Sequence, residues 1–491
     1  MNHSFEKIKH RSFYLLIIPL ALSAFTHLWN PIGFPDIFYD EGVYMRRAMH
    51  VIDGLGPQEG FFHDHPFFGQ LFIAGALAIV GYPDSLNIST DVGSMEMLYT
   101  VPRILMGILA VVDTFLIYKI SERRYGRNVA IIASILFAVM PVTWLLRRIL
   151  LDSILLPFLL TSILLALSAK DSKNKNLLAV LSGVCLGIAI FTKIPIFIMI
   201  PVIAFLVYTN NRNARTLGLW FVPVILIPLI WPAQAVSAGQ FDLWTKDILW
   251  QVQRESAGFG SIVFDFFIFD PVLFLVGIAG LVYAAVKKDV FLLLWGIPFI
   301  IFLVLIGYVQ YFHWIPVLPT FCVAAARLIV DLVSSVKKKT LQYPALLVIT
   351  CVIGIFGVVS STMLITTNVS AQFEATSFVA QRMQDNDSNI TLISSPVYSW
   401  IFIYVFDEDN VFTDYRDLLF YPVETEQVIL IADQHFKYNI GAGEQLGIMY
   451  NSTRTIATFE GDVFRYDLGK YPYTNMKLNY EGSLIEVRIR E

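Results

Sequence analysis

Apolar stretches long enough to cross a bilayer, roughly 17–25 residues each, alternate with short polar connections from Phe13 to Leu364. They predict about eleven membrane spans, near residues 13–29, 101–119, 128–146, 152–168, 177–192, 194–209, 218–234, 271–286, 290–307, 312–331 and 342–364. Two shorter patterns interrupt this rhythm. Residues 66–82 are apolar but too short to span, which predicts a helix lying against the membrane face. Residues 40–53 predict another short helix, with Asp40 at its start and Gly54 and Gly56 beyond its end. After Thr366 the pattern changes to a helix over 371–384 and short strands at Asn389–Ser394, Gln427–Ile431, Thr455–Phe459, Val463–Tyr466 and Leu484–Ile489. The expected fold is therefore an all-α polytopic membrane part over 1–365, with a first outer loop at 30–100, followed by a small α/β domain over 366–491.

Charge orients this map. Arg123-Arg124 with Arg127, Lys170 with Lys173 and Lys175, Arg212 with Arg215, Lys287-Lys288 and Lys337-Lys338-Lys339 fall in alternate connections. With the basic amino terminus they mark one side as cytoplasmic, leaving the 30–100 loop, a 235–270 loop and the C-terminal domain outside. The start, Lys7-Ile-Lys9-His10-Arg11 before Phe13–Phe25, looks like a signal sequence and reads as an uncleaved anchor. Acceptor sequons at Asn87, Asn368, Asn386, Asn389 and Asn451 fall in expected outer regions. No retention signal is visible, so the plasma membrane is the expected location.

Composition adds little beyond the class. The 491 residues are 56% hydrophobic and carry a net charge of −4, so nucleic acid is not an expected partner. Cys185, Cys322 and Cys351 lie in apolar runs, where cysteine behaves as a small hydrophobe.

Chemistry concentrates at the outer ends of the spans. Asp40 and Glu41 stand side by side in the first outer loop; Asp40 reads either as a plain helix N-cap or as a charged, oriented general base. His63-Asp64-His65-Pro66 reads either as a wet turn or as a group for a divalent metal or phosphate oxygens. Arg103 opens the second span and reads either as a snorkelling interfacial arginine or as a fork that grips a phosphate. Arg147 and Arg148 are outer arginines, against the usual charge bias; Arg148 and Asp152 are spaced as a helix pair. Lys193, alone in an apolar turn, needs an anionic partner such as a lipid head group. His313-Trp314 is an interfacial anchor or a ligand. Asp385-Asn386-Asp387 and Asp407-Glu408-Asp409 look like acid-x-acid motifs but sit in turn-like settings.

Tyr39-Asp40-Glu41-Gly42-Val43-Tyr44, Asp64-His65-Pro66-Phe67, Val101-Pro102-Arg103, Leu151-Asp152-Ser153 and Phe191-Thr192-Lys193-Ile194-Pro195 occur in this order. Over residues 10–335 the chain thereby resembles the GT-C integral-membrane glycosyltransferases, in particular the protein O-mannosyltransferase and aminoarabinose-transferase-like branch. That resemblance implies a polyprenyl-phosphate-sugar donor, membrane lipids around it, and a protein, lipid or glycan acceptor. It implies that Asp40 deprotonates the acceptor hydroxyl, that Glu41 positions Asp40 or the acceptor, and that Asp152 is the second catalytic acid. It further implies that Arg103, Lys193, His65, Tyr44 and Arg148 hold the substrate and its lipid phosphate. No cofactor is required, though Asp64 with His313 could hold a divalent metal. Phe67 stands where the family has a second proline. The motif of oligosaccharyltransferases that pairs two tryptophans with Asp, Tyr and Gly is absent, against whole-glycan transfer to asparagine. A lipid-linked sugar flippase would share the phosphate site but need no base. A scaffold presenting the 371–491 region would leave Asp40, Arg103, Asp152 and Lys193 unexplained.

Overall fold

The computed structural model describes residues 2–60, 62–254, 258–366, 370–384, 390–461 and 484–490, with side chains from Leu15 onward. Each of the eleven expected spans coincides with helical structure. Among the described residues seven helices are long and apolar enough to cross a membrane, including Val92–Tyr125, Leu151–Asp171, Tyr311–Ser334 and Lys339–Ile365. Two bent pairs raise the number to nine, and Leu15–Leu28 and Val290–Leu305 are shorter apolar helices. In lipid no water satisfies exposed backbone N–H and C=O groups, so these segments close their hydrogen bonds internally.

The breaks have local causes. Arg127–Val139 and Pro141–Arg147 meet at 68°; Met140 between them is extended (φ −66°, ψ 137°), as a residue before proline prefers. Phe259–Phe269 and Pro271–Val286 meet at 115°. Buried Asp270 caps the second helix there, accepting the Leu273 amide at 2.9 Å. At the end of the Lys175–Thr192 helix, Lys193 is also extended (φ −154°, ψ 115°), and a 3₁₀ turn, Ile194–Met199, follows.

The two short helices of the first outer loop are present as Tyr39–Ile52 and Phe68–Ile79. The stretch expected as an outer loop between the seventh and eighth spans is instead helical in three pieces, Ile230–Ser237, Phe241–Gln253 and Phe259–Phe269. Polar residues punctuate these pieces, which hid their periodicity.

The C-terminal part begins with the helix Ala371–Gln384 and carries a four-stranded sheet: β1 (Ile390–Ile393), β2 (Gln427–Ala432), β3 (Arg454–Glu460) and β4 (Leu484–Arg490), in the order β1-β2-β4-β3. β1 runs parallel to β2, and β4 pairs antiparallel with β2 and β3. The expected strand at 463–466 and the acidic run at 385–387 lie outside the described residues. Asp407 sits in a turn with φ 55°. The helices Pro396–Tyr404, Gln434–Asn439 and Glu444–Ser452 were not foreseen. One apolar core runs from the spans into this part: Tyr99 of the second span packs on Phe373, their ring centroids 6.1 Å apart, and Trp400 donates its indole N–H to the Tyr99 hydroxyl at 2.8 Å. The shift in composition near Thr366 thus marks no break in the core.

Candidate active site

The Tyr39–Ile52 helix presents three stripes, as a period of 3.6 requires. Asp40, Tyr44 and Arg47 form one, Glu41, Met45 and Ala48 a second, and Tyr39, Val43 and Arg46 a third.

The Glu41 stripe points into the protein. Both Glu41 oxygens accept from Arg103, at 3.0 Å from Nε and 2.7 Å from a terminal nitrogen, in a fork fully out of water. Glu41 also accepts the Phe38 amide at 3.0 Å, the Ile149 amide at 3.0 Å and an Arg148 nitrogen at 3.4 Å. Glu41, three residues into the helix, therefore takes the reciprocal capping role, and Phe38 rather than Asp40 is the N-cap.

This corrects two expectations. Arg103 is not free to grip a phosphate: its remaining donors go to the carbonyls of Pro31 (3.2 Å), Pro35 (2.7 Å) and Asp36 (3.0 Å). Arg148 does not pair with Asp152; it bridges Asp36 and Glu41 at 3.4 Å each and lies over the rings of Phe38 and Trp144. Arg147 likewise donates to the carbonyls of Phe34 (2.8 Å), Thr26 (2.7 Å), Trp29 (3.1 Å) and Asn30. The outer arginines thus knit the chain on either side of the loop rather than lining an anion site. Asp36 was missed, because nothing in its Pro35-Asp36-Ile37 setting distinguishes it from a turn residue.

The Asp40 stripe points into the site. Asp40 is half-buried and has no hydrogen-bond or ion-pair partner among the described residues. Burial pushes its carboxyl up to about 6; Lys193 opposes that rise, Asp64 adds to it, and Arg254 and Arg148 also oppose it. One turn along, the buried Tyr44 hydroxyl is raised by burial and by the carboxylates of Asp40, Asp64 and Asp152. Lys193 donates to Asp152 at 2.6 Å and stands over the Phe312 ring, 5.0 Å from its centroid. Its expected anionic partner is therefore first a protein carboxylate. Only one of its three N–H donors is used there, and Asp152 orients the other two.

The second motif is tied to the same helix through Arg47. Asp64 pairs with Arg47 at 2.8 Å and accepts the His65 amide at 2.9 Å. Burial would raise Asp64, but Arg47 and its hydrogen bond carry it below the usual carboxylate range. Burial lowers His65 to about 4, so its ring is neutral near pH 7. His63 faces away, holding Asp247 through its amide at 2.7 Å and Gln240 through its ring at 3.0 Å. His313 accepts the Gln310 amide on Nδ1 at 3.1 Å and lies edge-on to Tyr308 and Phe312.

The two residues expected to hold a metal are both engaged otherwise. Asp64 is committed to Arg47, His313 spends Nδ1 on a backbone amide, and among the described residues no three His, Cys, Asp or Glu side chains gather to hold an ion.

Arg254 is the site residue that sequence reasoning missed. It follows the Phe241–Gln253 helix, lies 3.6 Å from the Tyr308 ring centroid and 4.7 Å from that of Trp250, and donates to Gln251 at 3.0 Å. Its charge is felt at Asp40, at His65 and at Tyr308. The one signal for it was a lone cation after an aromatic-rich segment, Phe241 to Trp250, on the outer side.

The arrangement offers a carboxylate with no hydrogen-bond or ion-pair partner among the described residues, within electrostatic reach of two cations, Lys193 and Arg254, and of Tyr44. Comparisons with known proteins bear on the fold and on part of the chain. The family model of the dolichyl-phosphate-mannose-protein mannosyltransferases matches residues 17–222, a segment that contains Asp40, Asp64, Asp152 and Lys193. No curated protein matches the chain in sequence. ArnT from Cupriavidus metallidurans in the apo state superposes with a TM-score of 0.61 at 12% identity over 98% of each chain. The same protein bound to undecaprenyl phosphate gives 0.59 at 11% identity over 97% of each. The oligosaccharyltransferase AglB from Archaeoglobus fulgidus, in complex with an inhibitory peptide and a dolichol-phosphate, gives 0.58 at 12% identity, covering 91% of this chain and 73% of that one. At such identities the solved structures establish a shared fold, and the family model covers residues 17–222. Over residues 17–222 the chain is thus similar to the dolichyl-phosphate-mannose-protein mannosyltransferases, and its fold is shared with ArnT and AglB.

Proposed function

We propose that the protein transfers a sugar from a polyprenyl phosphate to an acceptor hydroxyl on the outer face of its membrane, with inversion at the sugar carbon. The observation that carries this reading is the half-buried Asp40 carboxylate, unpaired among the described residues and within electrostatic reach of Lys193 and Arg254. Two structures of the same fold, ArnT bound to undecaprenyl phosphate and AglB in complex with a dolichol-phosphate, support a lipid-phosphate donor.

Asp40 takes the proton of the acceptor hydroxyl as its oxygen attacks the anomeric carbon. The bond from that carbon to the phosphate oxygen breaks, and its electron pair leaves with the lipid phosphate. A phosphate leaves without a general acid, but the charge it gains needs cations. Lys193, aimed by Asp152, and Arg254, laid on Tyr308, supply them in a site partly screened from water. His65 and Tyr44 add neutral donors beside them. Glu41 acts at one remove, through its fork with Arg103, by fixing the helix that carries Asp40. One base and one leaving side suit a single displacement. The alternate basic connections support a site outside the cytoplasm.

The test is transfer from labelled polyprenyl-phosphate sugars in lipid, with the anomeric configuration of the product read by NMR. Transfer with inverted configuration is expected. A retained configuration overturns the single displacement, and uptake of donor without any glycosidic product favours the flippase reading.

A further inference from the structure

The third stripe of the Tyr39–Ile52 helix faces the C-terminal part, and the catalytic motif is gripped from there at four points. The Ile37 backbone exchanges two hydrogen bonds with the Gln372 side chain, at 2.8 and 2.9 Å. A Cβ on Gly42 would stand 2.4 Å from the backbone of Pro396 and Val397. Arg46 donates to the Thr413 carbonyl at 2.6 Å. The fourth point is Tyr39, next in sequence to Asp40.

The buried Tyr39 hydroxyl donates to the Asp414 carboxylate and accepts from Arg416. Arg416 also holds Asp414 at 2.7 Å and stands over the Tyr39 ring, 4.7 Å from its centroid. The imidazole of His435 stacks on the same ring at 4.2 Å and 23°, and is itself hydrogen-bonded to the Tyr415 hydroxyl at 2.9 Å. Apolar contact alone could bury a tyrosine ring. A carboxylate and a guanidinium that both end on its hydroxyl do more: they fix the one position where both bonds close, and the buried Asp414 carboxylate is costly unless its bonds are made.

We propose that Asp414 and Arg416 are positioning residues that aim Asp40 through the Tyr39 hydroxyl, so that the C-terminal part sets the orientation of the base. Tyr39 opens the helix, and its side chain and the Asp40 side chain leave adjacent backbone positions. Rotating the first turn to release one moves the other. This rests on the reading of Asp40 as the base.

The test compares Tyr39→Phe, Asp414→Asn, their double variant and Asp40→Asn in the full-length protein, with turnover expressed per donor-binding site. Tyr39→Phe leaves the Asp414–Arg416 ion pair in place, so it strands no buried charge. Each single variant is expected to lose about ten- to a hundredfold in kcat, the scale of a misaimed group, with donor affinity unchanged. The double variant should fall no further than the weaker single, because both act through one bond. Wild-type turnover per bound donor in Tyr39→Phe and Asp414→Asn, with Asp40→Asn inactive, overturns this inference and spares the base. Losses that multiply in the double variant, or that track loss of donor binding, overturn it in favour of a general structural role. Wild-type turnover in Asp40→Asn removes the base and this inference with it.

Discussion

Neighbouring carboxylates, Asp40 and Glu41, are given opposite tasks by their surroundings. Glu41 is saturated by Arg103, Arg148 and two backbone amides, and is completely buried. Breaking one side of such a pair leaves an uncompensated charge, so Arg103→Ala should cost about 3–5 kcal/mol of stability, read as a lowered thermal midpoint in detergent. Asp40 keeps its lone pairs for a proton. Its carboxyl is raised to about 6, and a base must be ionised to act. Above about pH 6 the carboxylate predominates and kcat/KM should be level on that side; below it, protonation removes the base and kcat/KM should fall about tenfold per pH unit. A pH profile in wild type checks this, and an acid limb that stays flat to pH 4 would contradict the assignment. These residue-scale roles were only half legible in the sequence. An arginine at a span end reads alike whether it grips a phosphate or a glutamate 62 residues away, and Arg103 does the second.

At the scale of elements, the site is made by helices that stop. Lys193 reaches Asp152 because its own backbone is extended between the Lys175–Thr192 helix and a 3₁₀ turn. The Thr192-Lys193-Ile194-Pro195 text announced that break, since a residue near a proline leaves the helical region readily. The Tyr39–Ile52 helix was equally legible, but the identity of its cap was not. Glu41 looked like the partner of Asp40, and only the packed structure shows it reaching back to Phe38. Gly42 carries the tightest approach on this helix, with Pro396 and Val397 backbone where a methyl would lie. Backbone cannot swing aside as a side chain does, so Gly42→Ala should push the helix off its seat. A loss of about 1–3 kcal/mol in stability is expected, with a fall in turnover per folded molecule.

For the whole molecule, alternating apolar and basic segments predicted the membrane part closely, because a bilayer leaves the backbone few options. They failed where no bilayer imposes a period. The 235–270 stretch is helical, and it delivers Arg254 to the site from a region read as loop. The C-terminal part was legible as strands and a helix, but not as a wall that holds the catalytic helix. Its contacts at Tyr39, Gly42 and Arg46 join residues more than three hundred positions apart, which no local pattern reports.

The proposed transfer divides labour between one carboxylate that reacts and two cations that hold the phosphate. Donor binding and sugar transfer should therefore be measured side by side for wild type, Asp40→Asn and Arg254→Gln in lipid. The division predicts that Asp40→Asn binds the lipid-phosphate donor as wild type does yet transfers nothing measurable, while Arg254→Gln weakens donor binding about tenfold, the scale of one lost charge-assisted contact. Transfer at the wild-type rate by Asp40→Asn, or unchanged donor binding in Arg254→Gln, would contradict it.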